Sequence, residues 1–379
     1  MFDYETLRLI WWVLISVLLI GFVVTDGFDM GVGTLLLVIG KSDDERRMMI
    51  NSIAPHWEGN QVWLVLAAGA IFAAWPAVYA TAFSGFYVAM MLTLFALFFR
   101  PVGFDYRGKI ADPRWKTSWD WGIFVGSTVP PIIFGVAFGN LLQGVPFVFD
   151  EFLRANYEGG FFALLNPFAL LVGVLTLCLF VLQGSTWLQM KTEGALYERA
   201  RKVTLIIAPT VTVLFAIAGV WVAKGLDGFV ITSAINFDGV SNPLVKVVEM
   251  QPGGWLQNYS DYPLTMIAPL VGLSFPLIAF VMSFFKRSGF AFFATSITQF
   301  GVLLTCAVSM FPFIMPSSLN PSHSLTVWDA TSSEITLGIM TIAAAIFLPI
   351  ILLYTSFGYI KMFGRVGKEF LTKYKHSAY

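Results

Sequence analysis

The chain has 379 residues, of which 57% are hydrophobic and only 12% are charged, and its mean hydropathy is +0.75. One soluble core cannot bury so much apolar surface, so the composition excludes an ordinary water-soluble domain and predicts an integral membrane protein. Basic and acidic residues both number 23, and the formal net charge is zero. We expect no nucleic-acid partner, because membrane topology accounts for the basic residues.

Nine apolar runs follow one another, each close to the length of about 20 residues that crosses a bilayer as a helix. The first run has no basic leader and no small-residue cleavage site, so we interpret it as a mature helix. The predicted fold class is an all-α integral membrane protein with nine transmembrane helices. The runs lie near residues 9–24, 57–75, 77–99, 122–142, 162–182, 203–223, 264–285, 289–311 and 335–359.

Basic residues are concentrated in alternate gaps between the runs, which hold 19 of the 23 Lys and Arg residues. Short basic loops are retained in the cytoplasm. The pattern therefore predicts a periplasmic N-terminus and a cytoplasmic C-terminus. The predicted cytoplasmic groups are Lys41, Arg46 and Arg47; Arg100, Arg107, Lys109, Arg114 and Lys116; Lys191, Arg199, Arg201 and Lys202; Lys286 and Arg287; and the tail from Lys361 to Lys375.

No linker that would separate soluble domains is evident, so residues 1–379 are predicted to form one polytopic membrane domain. Six helices occupy about 1–225, a periplasmic connection about 226–262, and three helices with a cytoplasmic tail about 263–379. We expect two four-helix bundles, divided at the connection, and one peripheral helix. Cys178 and Cys306 fall inside apolar runs, where cysteine behaves as a small buried hydrophobe.

Ionisable side chains collect at the predicted inner ends of the first three helices. Such groups are costly at membrane depth, and they favour a functional interpretation. Carboxylates and an imidazole at the cytoplasmic mouth of a bundle can hold water and pass protons inward. The structural alternative is that each residue caps a helix or forms an ion pair at the headgroup layer. The cluster consists of Asp26, Asp29, His56, Glu58, Arg100 and Asp105.

Spacing places parts of this cluster on common helix faces. Asp26 and Asp29 are separated by three residues, and His56, Asn60 and Trp63 follow an i, i+4, i+7 pattern. Histidine is scarce, because only His56 lies near a predicted helix. A transmembrane haem usually needs axial His or Met ligands, so we expect this chain to ligate no redox cofactor.

The predicted outer loop over 312–334 is rich in aromatic residues. This composition suits either a plug at the membrane interface or a contact with a partner. Thr331 and Glu334 have the spacing of a capping box for the last helix.

Several longer motifs place unusual polar residues in or beside the apolar runs. They are TDGFDMG at 25–31, PHWEGNQVW at 55–63, FSGFYV at 83–88, FFRPVGFDY at 98–106, GVAFGNLLQGVP at 135–146, and the stretch 310–333. Together they resemble subunit II of the bacterial cytochrome bd quinol oxidase. The resemblance extends over the whole chain and implies a respiratory enzyme of the cell inner membrane, which oxidises ubiquinol, reduces dioxygen to water and takes up cytoplasmic protons.

The resemblance also implies partners and residue roles. Haem b and haem d would be ligated by subunit I, beside which this chain packs together with membrane lipid. A structural quinone in this chain and a small single-helix accessory subunit are left open. The family often has Asp where this chain has Glu58, which keeps the carboxylate but changes its reach. The implied proton path comprises Asp29, Glu58 and Asp105 with His56 and Asp26, and the implied interface near the haems comprises Trp63 and Arg100.

Two other functional classes use the same residues differently. A stand-alone secondary transporter or ion channel would use the inner cluster as a gate and would support flux by itself. A purely structural subunit would tolerate neutralisation of Asp29, Glu58 and Asp105 once the complex had assembled.

Overall fold

The computed structural model describes residues 2–367, so much of the basic tail, including Lys368, Lys373, Lys375 and His376, lies outside the described residues. Within this range the chain forms twelve α-helices and three two-stranded antiparallel sheets. The helices are α1 Tyr4–Ile39, α2 Asp43–Ile53, α3 Trp57–Ala74, α4 Pro76–Gly85, α5 Tyr87–Tyr106, α6 Pro113–Gln143, α7 Pro167–Lys191, α8 Gly194–Gly225, α9 Gln257–Asp261, α10 Ile267–Phe284, α11 Ser288–Met310 and α12 Glu334–Lys361. The paired strands are β1 Phe147–Phe149 with β2 Ala155–Tyr157, β3 Asp227–Ile231 with β4 Val248–Pro252, and β5 Phe313–Met315 with β6 Leu325–Thr326.

Eight helices of the described chain are long and apolar enough to cross a membrane, and the bent pair of α3 and α4 provides a further candidate. The pair bends by 118° at Trp75. Pro76 has no backbone N–H and disfavours the helical conformation in the residue before it, so a new helix begins there. The prediction of one continuous helix over 77–99 is wrong for a separate reason, since the chain breaks again at Phe86, where α4 ends at Gly85 and α5 begins at Tyr87.

The central helix of the fold is α1, which packs against α3, α6 and α7. Its 36 residues span about 54 Å, whereas the hydrocarbon layer is about 30 Å thick. Every residue from Asp26 to Leu36 is buried. The side of the molecule at which α1 ends is called the inner side, and the side at which it begins is called the outer side. The inner half of α1 thus lies within protein rather than lipid.

Small residues allow these helices to approach closely. A Cβ atom added to Gly31 in α1 would lie 1.9 Å from the Phe180 carbonyl oxygen in α7. A Cβ atom added to Gly184 would lie 2.5 Å from the Gly31 carbonyl carbon, so the two backbones touch here. Gly139 in α6 meets Ala169 in α7 in the same way. Close backbone packing stabilises helix association in lipid, where burial of apolar surface gives little advantage.

The remaining long helices pack around α7 and at the edge of the molecule. Helix α7 contacts α8 and α11, α10 packs against both α8 and α11, and α12 contacts α1 and α3 along an otherwise exposed surface. Helix α8 packs against α10 across the 226–262 connection, and α1 packs against both α6 and α7. The division into two four-helix bundles at this connection stays a prediction.

The three small sheets and their loops form the outer layer. The side chain of Arg8 is fully buried there and donates hydrogen bonds to the Gly239 carbonyl and the Thr331 hydroxyl. Ser333, rather than Thr331, caps α12 by accepting a hydrogen bond from the Thr336 N–H. The predicted capping box is therefore wrong, because the Thr331 hydroxyl is engaged with Arg8 and the helix begins later.

On the inner side, an ion-pair network joins α2 to α5 and α6. The Asp120 carboxylate accepts from Arg107 Nε at 2.5 Å and from Arg46 Nη1 at 2.8 Å. Asp43 pairs with Arg107 at 2.8 Å and with Lys116 at 2.7 Å. Burial by itself would raise the pKa of Asp43, but the hydrogen bond and charge of Lys116 and Arg107 outweigh it, and the pKa lies below the ordinary value of 3.8.

We predict that Gly31→Ala destabilises the protein by about 3 kcal/mol or more, because its methyl group would overlap the α7 backbone. Gly219→Ala is the matched control, since a Cβ atom there meets nothing within 4 Å. The melting temperature of the purified complex in mild detergent measures both effects. Equal stability of the two variants would contradict the packing argument.

We predict that the Asp43 contacts weaken at low pH. A carboxyl group with a lowered folded pKa stabilises the fold above its unfolded pKa, near 3.8, and this contribution is lost as the pH falls through the folded pKa. Hydrogen exchange of the α2 amides should be slower in the wild type than in Asp43→Asn at pH 6. The difference should vanish in acid, and a difference that persists at pH 2 would show that the carboxylate charge is not responsible.

Candidate functional site

A buried ion pair between α1 and α5 lies at the centre of the inner half of the molecule. Arg100 Nη2 donates to Asp26 Oδ1 at 2.6 Å, and Nη1 donates to Oδ2 at 3.2 Å. Both side chains are at most 1% exposed. Gly126 in α6 leaves room for them, because a Cβ atom there would lie 3.1 Å from Arg100 Cγ. The two opposite charges form a bidentate pair with no net charge.

Asp29 lies one helical turn further along α1 and has a different environment. Its side chain is fully buried, and Oδ2 accepts a hydrogen bond from Asn60 Nδ2 in α3 at 2.7 Å. Oδ1 is buried without a hydrogen-bond partner, and no basic side chain among residues 2–367 forms an ion pair with this carboxyl group. An ionised carboxylate is costly in such a place. Asp29 can therefore hold a proton and release it to an acceptor that reaches Oδ1.

Asn60 connects Asp29 to the last helix. The Tyr359 hydroxyl of α12 donates a hydrogen bond to Asn60 Oδ1, so the amide is held from both ends. The His56 ring stacks on the Tyr359 ring with centroids 4.5 Å apart and planes 7° apart. His56 and Asn60 therefore both face Tyr359, whereas Trp63, the third residue of the predicted i, i+4, i+7 pattern, lies against Gly21 of α1.

His56 is neutral at physiological pH. It precedes α3 on the inner side, and only 7% of it is exposed. Burial, followed by the nearby positive charge of Lys191, lowers the pKa of the imidazole to about 4. A neutral imidazole has one nitrogen that accepts and one that donates a hydrogen bond.

The other two predicted carboxylates are not part of this buried group. Glu58 in α3 and Asp105 near the end of α5 are exposed, and neither forms an ion pair within the described part of the chain. A Cβ atom added to the neighbouring Gly59 would meet nothing within 4 Å. The structure therefore brings together Asp26, Asp29, Arg100 and His56, and leaves Glu58 and Asp105 on the surface of this chain.

Trp63 packs inside the chain. It is 6% exposed, and a Cβ atom added to Gly21 in α1 would lie 2.6 Å from its ring. Leu97 in α5 belongs to the same apolar cluster. The proximity of Trp63 and Arg100 to a haem-bearing partner stays a prediction.

Sequence reasoning missed two polar residues. Tyr359 gave no signal, because its role depends on where α12 packs. Asp120 lies between Trp119 and Trp121, just before the predicted apolar run over 122–142. An acidic residue at the start of an apolar run, with basic residues in the facing loop, was the available signal for its ion pairs.

The described histidines do not suit an axial pair on one haem. His56 lies on the inner side, whereas His323 lies on the outer side and accepts a hydrogen bond from the Phe149 N–H at 3.0 Å. Among residues 2–367, no three His, Cys, Asp or Glu side chains are grouped so that they could hold a metal ion.

The chain combines long apolar helices with a group of ionisable residues buried in their inner half. These features define its class, which is that of polytopic membrane proteins with ionisable residues buried within the bilayer. The family model for cytochrome bd terminal oxidase subunit II matches residues 7–362. The chain therefore belongs to this family. It is a multi-pass protein of the inner membrane and a subunit of an oxidoreductase complex, as its sequence motifs suggested.

Individual relatives match most or all of the chain. The chain is 56% identical over 379 residues, 100% of both chains, to cytochrome bd-I ubiquinol oxidase subunit 2 of Escherichia coli K12. It is 34% identical over 347 residues to cytochrome bd ubiquinol oxidase subunit 2 of Bacillus subtilis, which covers 90% of this chain and 92% of that one. A chain of the bd oxidase structure from Geobacillus thermodenitrificans shares the fold, with a TM-score of 0.61 and 11% identity over 96% of this chain and 98% of that one.

We predict that Arg100→Leu destabilises the assembled complex by about 3–5 kcal/mol, because it leaves the Asp26 carboxylate buried without a counterion. The double variant Asp26→Leu with Arg100→Leu should recover most of this loss. Arg154→Leu breaks an exposed pair with Asp150, which solvent screens, and should have little effect on stability. Thermal unfolding measures all three, and a double variant no more stable than the single one would contradict the argument.

Proposed function

We propose that this chain is the subunit of a cytochrome bd ubiquinol oxidase that ligates no haem, scaffolds the haem-bearing subunit I and supplies part of the path for cytoplasmic protons. Haem b and haem d of the complex would reside in subunit I, where quinol is oxidised and dioxygen reduced. One observation carries the proton role. Asp29 is a fully buried carboxyl group with one bonded oxygen, one free oxygen and no counterion among the described residues.

The neighbouring ion pair determines how much positive charge is left near Asp29. Arg100 is already neutralised by the bidentate contact with Asp26, so no full positive charge remains to stabilise an ionised Asp29. Protonation and deprotonation of Asp29 therefore change the net charge of the buried site by one. A group of this kind can take a proton from one side and deliver it to the other, provided that water or a partner side chain reaches Oδ1.

Asn60 and Tyr359 have a positioning role in this proposal. A side-chain amide does not exchange protons readily, so the Asn60 contact fixes the orientation of the Asp29 carboxyl group and leaves Oδ1 available. The stacked His56 ring supports Tyr359 from the inner side.

Glu58 and Asp105 would act as collecting groups at the entrance. Exposed carboxylates exchange protons rapidly with water, and both residues are exposed in this chain. Subunit I would cover part of this surface and complete the path to Asp29. The longer side chain of Glu58, compared with the Asp often found in the family, extends its reach toward that partner.

The proposed topology has nine crossings, with the bent pair of α3 and α4 counted as one, a periplasmic N-terminus and a cytoplasmic C-terminus. The outer side would be periplasmic. Tyr4 at the start of α1 donates a hydrogen bond to the Ser332 carbonyl just before α12, so both helices begin on the same side. Most of the basic residues of the described chain lie on the other side, which the positive-inside rule places in the cytoplasm.

The stand-alone transporter or channel has no support from the family to which the chain belongs. A structural quinone bound to this chain and a small single-helix accessory subunit stay predictions.

We predict that Asp29→Asn lowers ubiquinol-driven oxygen uptake by the assembled complex about tenfold or more, because an amide cannot carry the proton. The reduced-minus-oxidised haem spectrum should be unchanged. Asp261→Asn, which neutralises an exposed carboxylate within the outer 226–262 connection, is the control and should retain full turnover. Glu58→Gln should produce a smaller loss, because other exposed groups can also collect protons.

A triple variant with Asp29, Glu58 and Asp105 all neutralised separates this proposal from the purely structural role. The proposal expects an assembled complex with normal haem bands and strongly reduced turnover. Full turnover in that variant would remove the proton role and leave the scaffolding role alone.

A further inference from the structure

A second polar site lies on the inner side, away from Asp29. A cavity of about 350 Å³ opens where the inner ends of α7, α10, α11 and α12 meet. Three basic side chains line it: Lys191, Lys286 and Arg365. No acidic residue of the described chain is among those that line this cavity.

Lys191 is the most constrained of the three. Its side chain is 4% exposed, and Nζ donates to the Met362 carbonyl at 3.0 Å. The ammonium group also lies 5.0 Å from the centroid of the Trp187 ring and 5.5 Å from that of Phe363. Lys191 forms no ion pair within residues 2–367. A buried cation of this kind attracts an anion into the cavity.

Lys286 and Arg365 have only loose partners. Lys286 Nζ lies 3.4 Å from a Glu198 oxygen, and Arg365 Nη1 lies 3.4 Å from a Glu193 oxygen. These side chains are 42–62% exposed, so the pairs are weak and screened by salt. Lys286 and Arg365 can therefore exchange these carboxylates for a bound anion at little cost in free energy.

The backbone around the cavity favours the same kind of ligand. Ser288 and Gly289 begin the 23-residue helix α11 and line the cavity, and no side chain caps this helix end. The first N–H groups of α11 are therefore available to an anion. Lys286 has a φ of 59°, a conformation that favours glycine, so the sequence places a lysine here despite backbone strain.

The surroundings indicate the source of the anion. The cavity lies at the ends of long apolar helices, the depth at which lipid headgroups are found. Phe284 and Phe285 next to the cavity are 57% and 66% exposed, and Phe363 is 75% exposed. These rings offer apolar contact to acyl chains, whereas a free ion would need none. Basic pockets between helices on the cytoplasmic side bind the headgroups of anionic lipids.

We propose that this cavity binds the phosphate group of an anionic phospholipid from the inner leaflet. Lys191, Lys286 and Arg365 would neutralise the phosphate, the N-terminal amides of α11 would donate hydrogen bonds to it, and the exposed aromatic rings would contact the acyl chains. The bound lipid would join the end of α12 to α7 and α11.

The test uses the purified oxidase complex, delipidated in neutral detergent, and its melting temperature during titration with phosphatidylglycerol, phosphatidylcholine or sodium phosphate. The wild type should gain stability from phosphatidylglycerol at low concentration and little from the other two. The double variant Lys286→Gln with Arg365→Gln should need about tenfold more phosphatidylglycerol for the same gain. Both side chains are largely exposed, so the variant should fold.

Two further variants make the result specific. Lys109→Gln with Arg114→Gln removes the same charge from exposed inner positions outside the cavity and should respond as the wild type does. Lys286→Gly should raise the melting temperature without lipid, because the strain is relieved, yet weaken the response to phosphatidylglycerol. If phosphatidylcholine raised the melting temperature as much as phosphatidylglycerol, the proposed site would be wrong. The same conclusion would follow if the Lys109→Gln with Arg114→Gln control lost as much of the response as the Lys286→Gln with Arg365→Gln variant. If sodium phosphate alone gave the same gain in melting temperature, the ligand would be free phosphate and not a lipid.

Discussion

The contact between the backbones of α1 and α7 at Gly31 and Gly184 determines where the charged residues of this protein can lie. Two helices that touch at this distance exclude lipid between them. The inner half of α1, which carries Asp26 and Asp29, is thereby enclosed by α3, α6 and α7 instead of facing hydrocarbon. Without that enclosure, two carboxylates on a membrane helix would be too costly to retain.

Within this enclosure the two carboxylates have different surroundings, although they are three residues apart. Asp26 faces α5 and is paired with Arg100, whereas Asp29 faces α3 and, among the described residues, accepts a side-chain hydrogen bond from Asn60 alone. Asp26 forms a fixed ion pair with Arg100, whereas Asp29 is a group whose charge can change. A difference in neighbours, rather than in residue type, creates the two roles.

Charge is also distributed unequally across the membrane layer. The outer layer holds Arg8 among backbone carbonyls and hydroxyls, and its sheets tie the loops together. The inner side holds the Asp120 network and the basic cavity around Lys191. The inner side therefore carries both the entrance proposed for protons and the surface suited to anionic lipid.

Hydropathy, basic loops and motifs in the sequence by themselves determined the membrane class, the family, the location of the polar residues and the shared face of His56 and Asn60. These features depend on local composition and helical period, which a linear pattern records. Only the tertiary structure decided the break at Pro76, the packing of α8 against α10 and the contact of Tyr359 with Asn60. It also decided that Asp29 is buried while Glu58 is exposed, because lateral helix packing chooses which face of an apolar helix meets protein, and sequence alone shows the same apolar residues on either face.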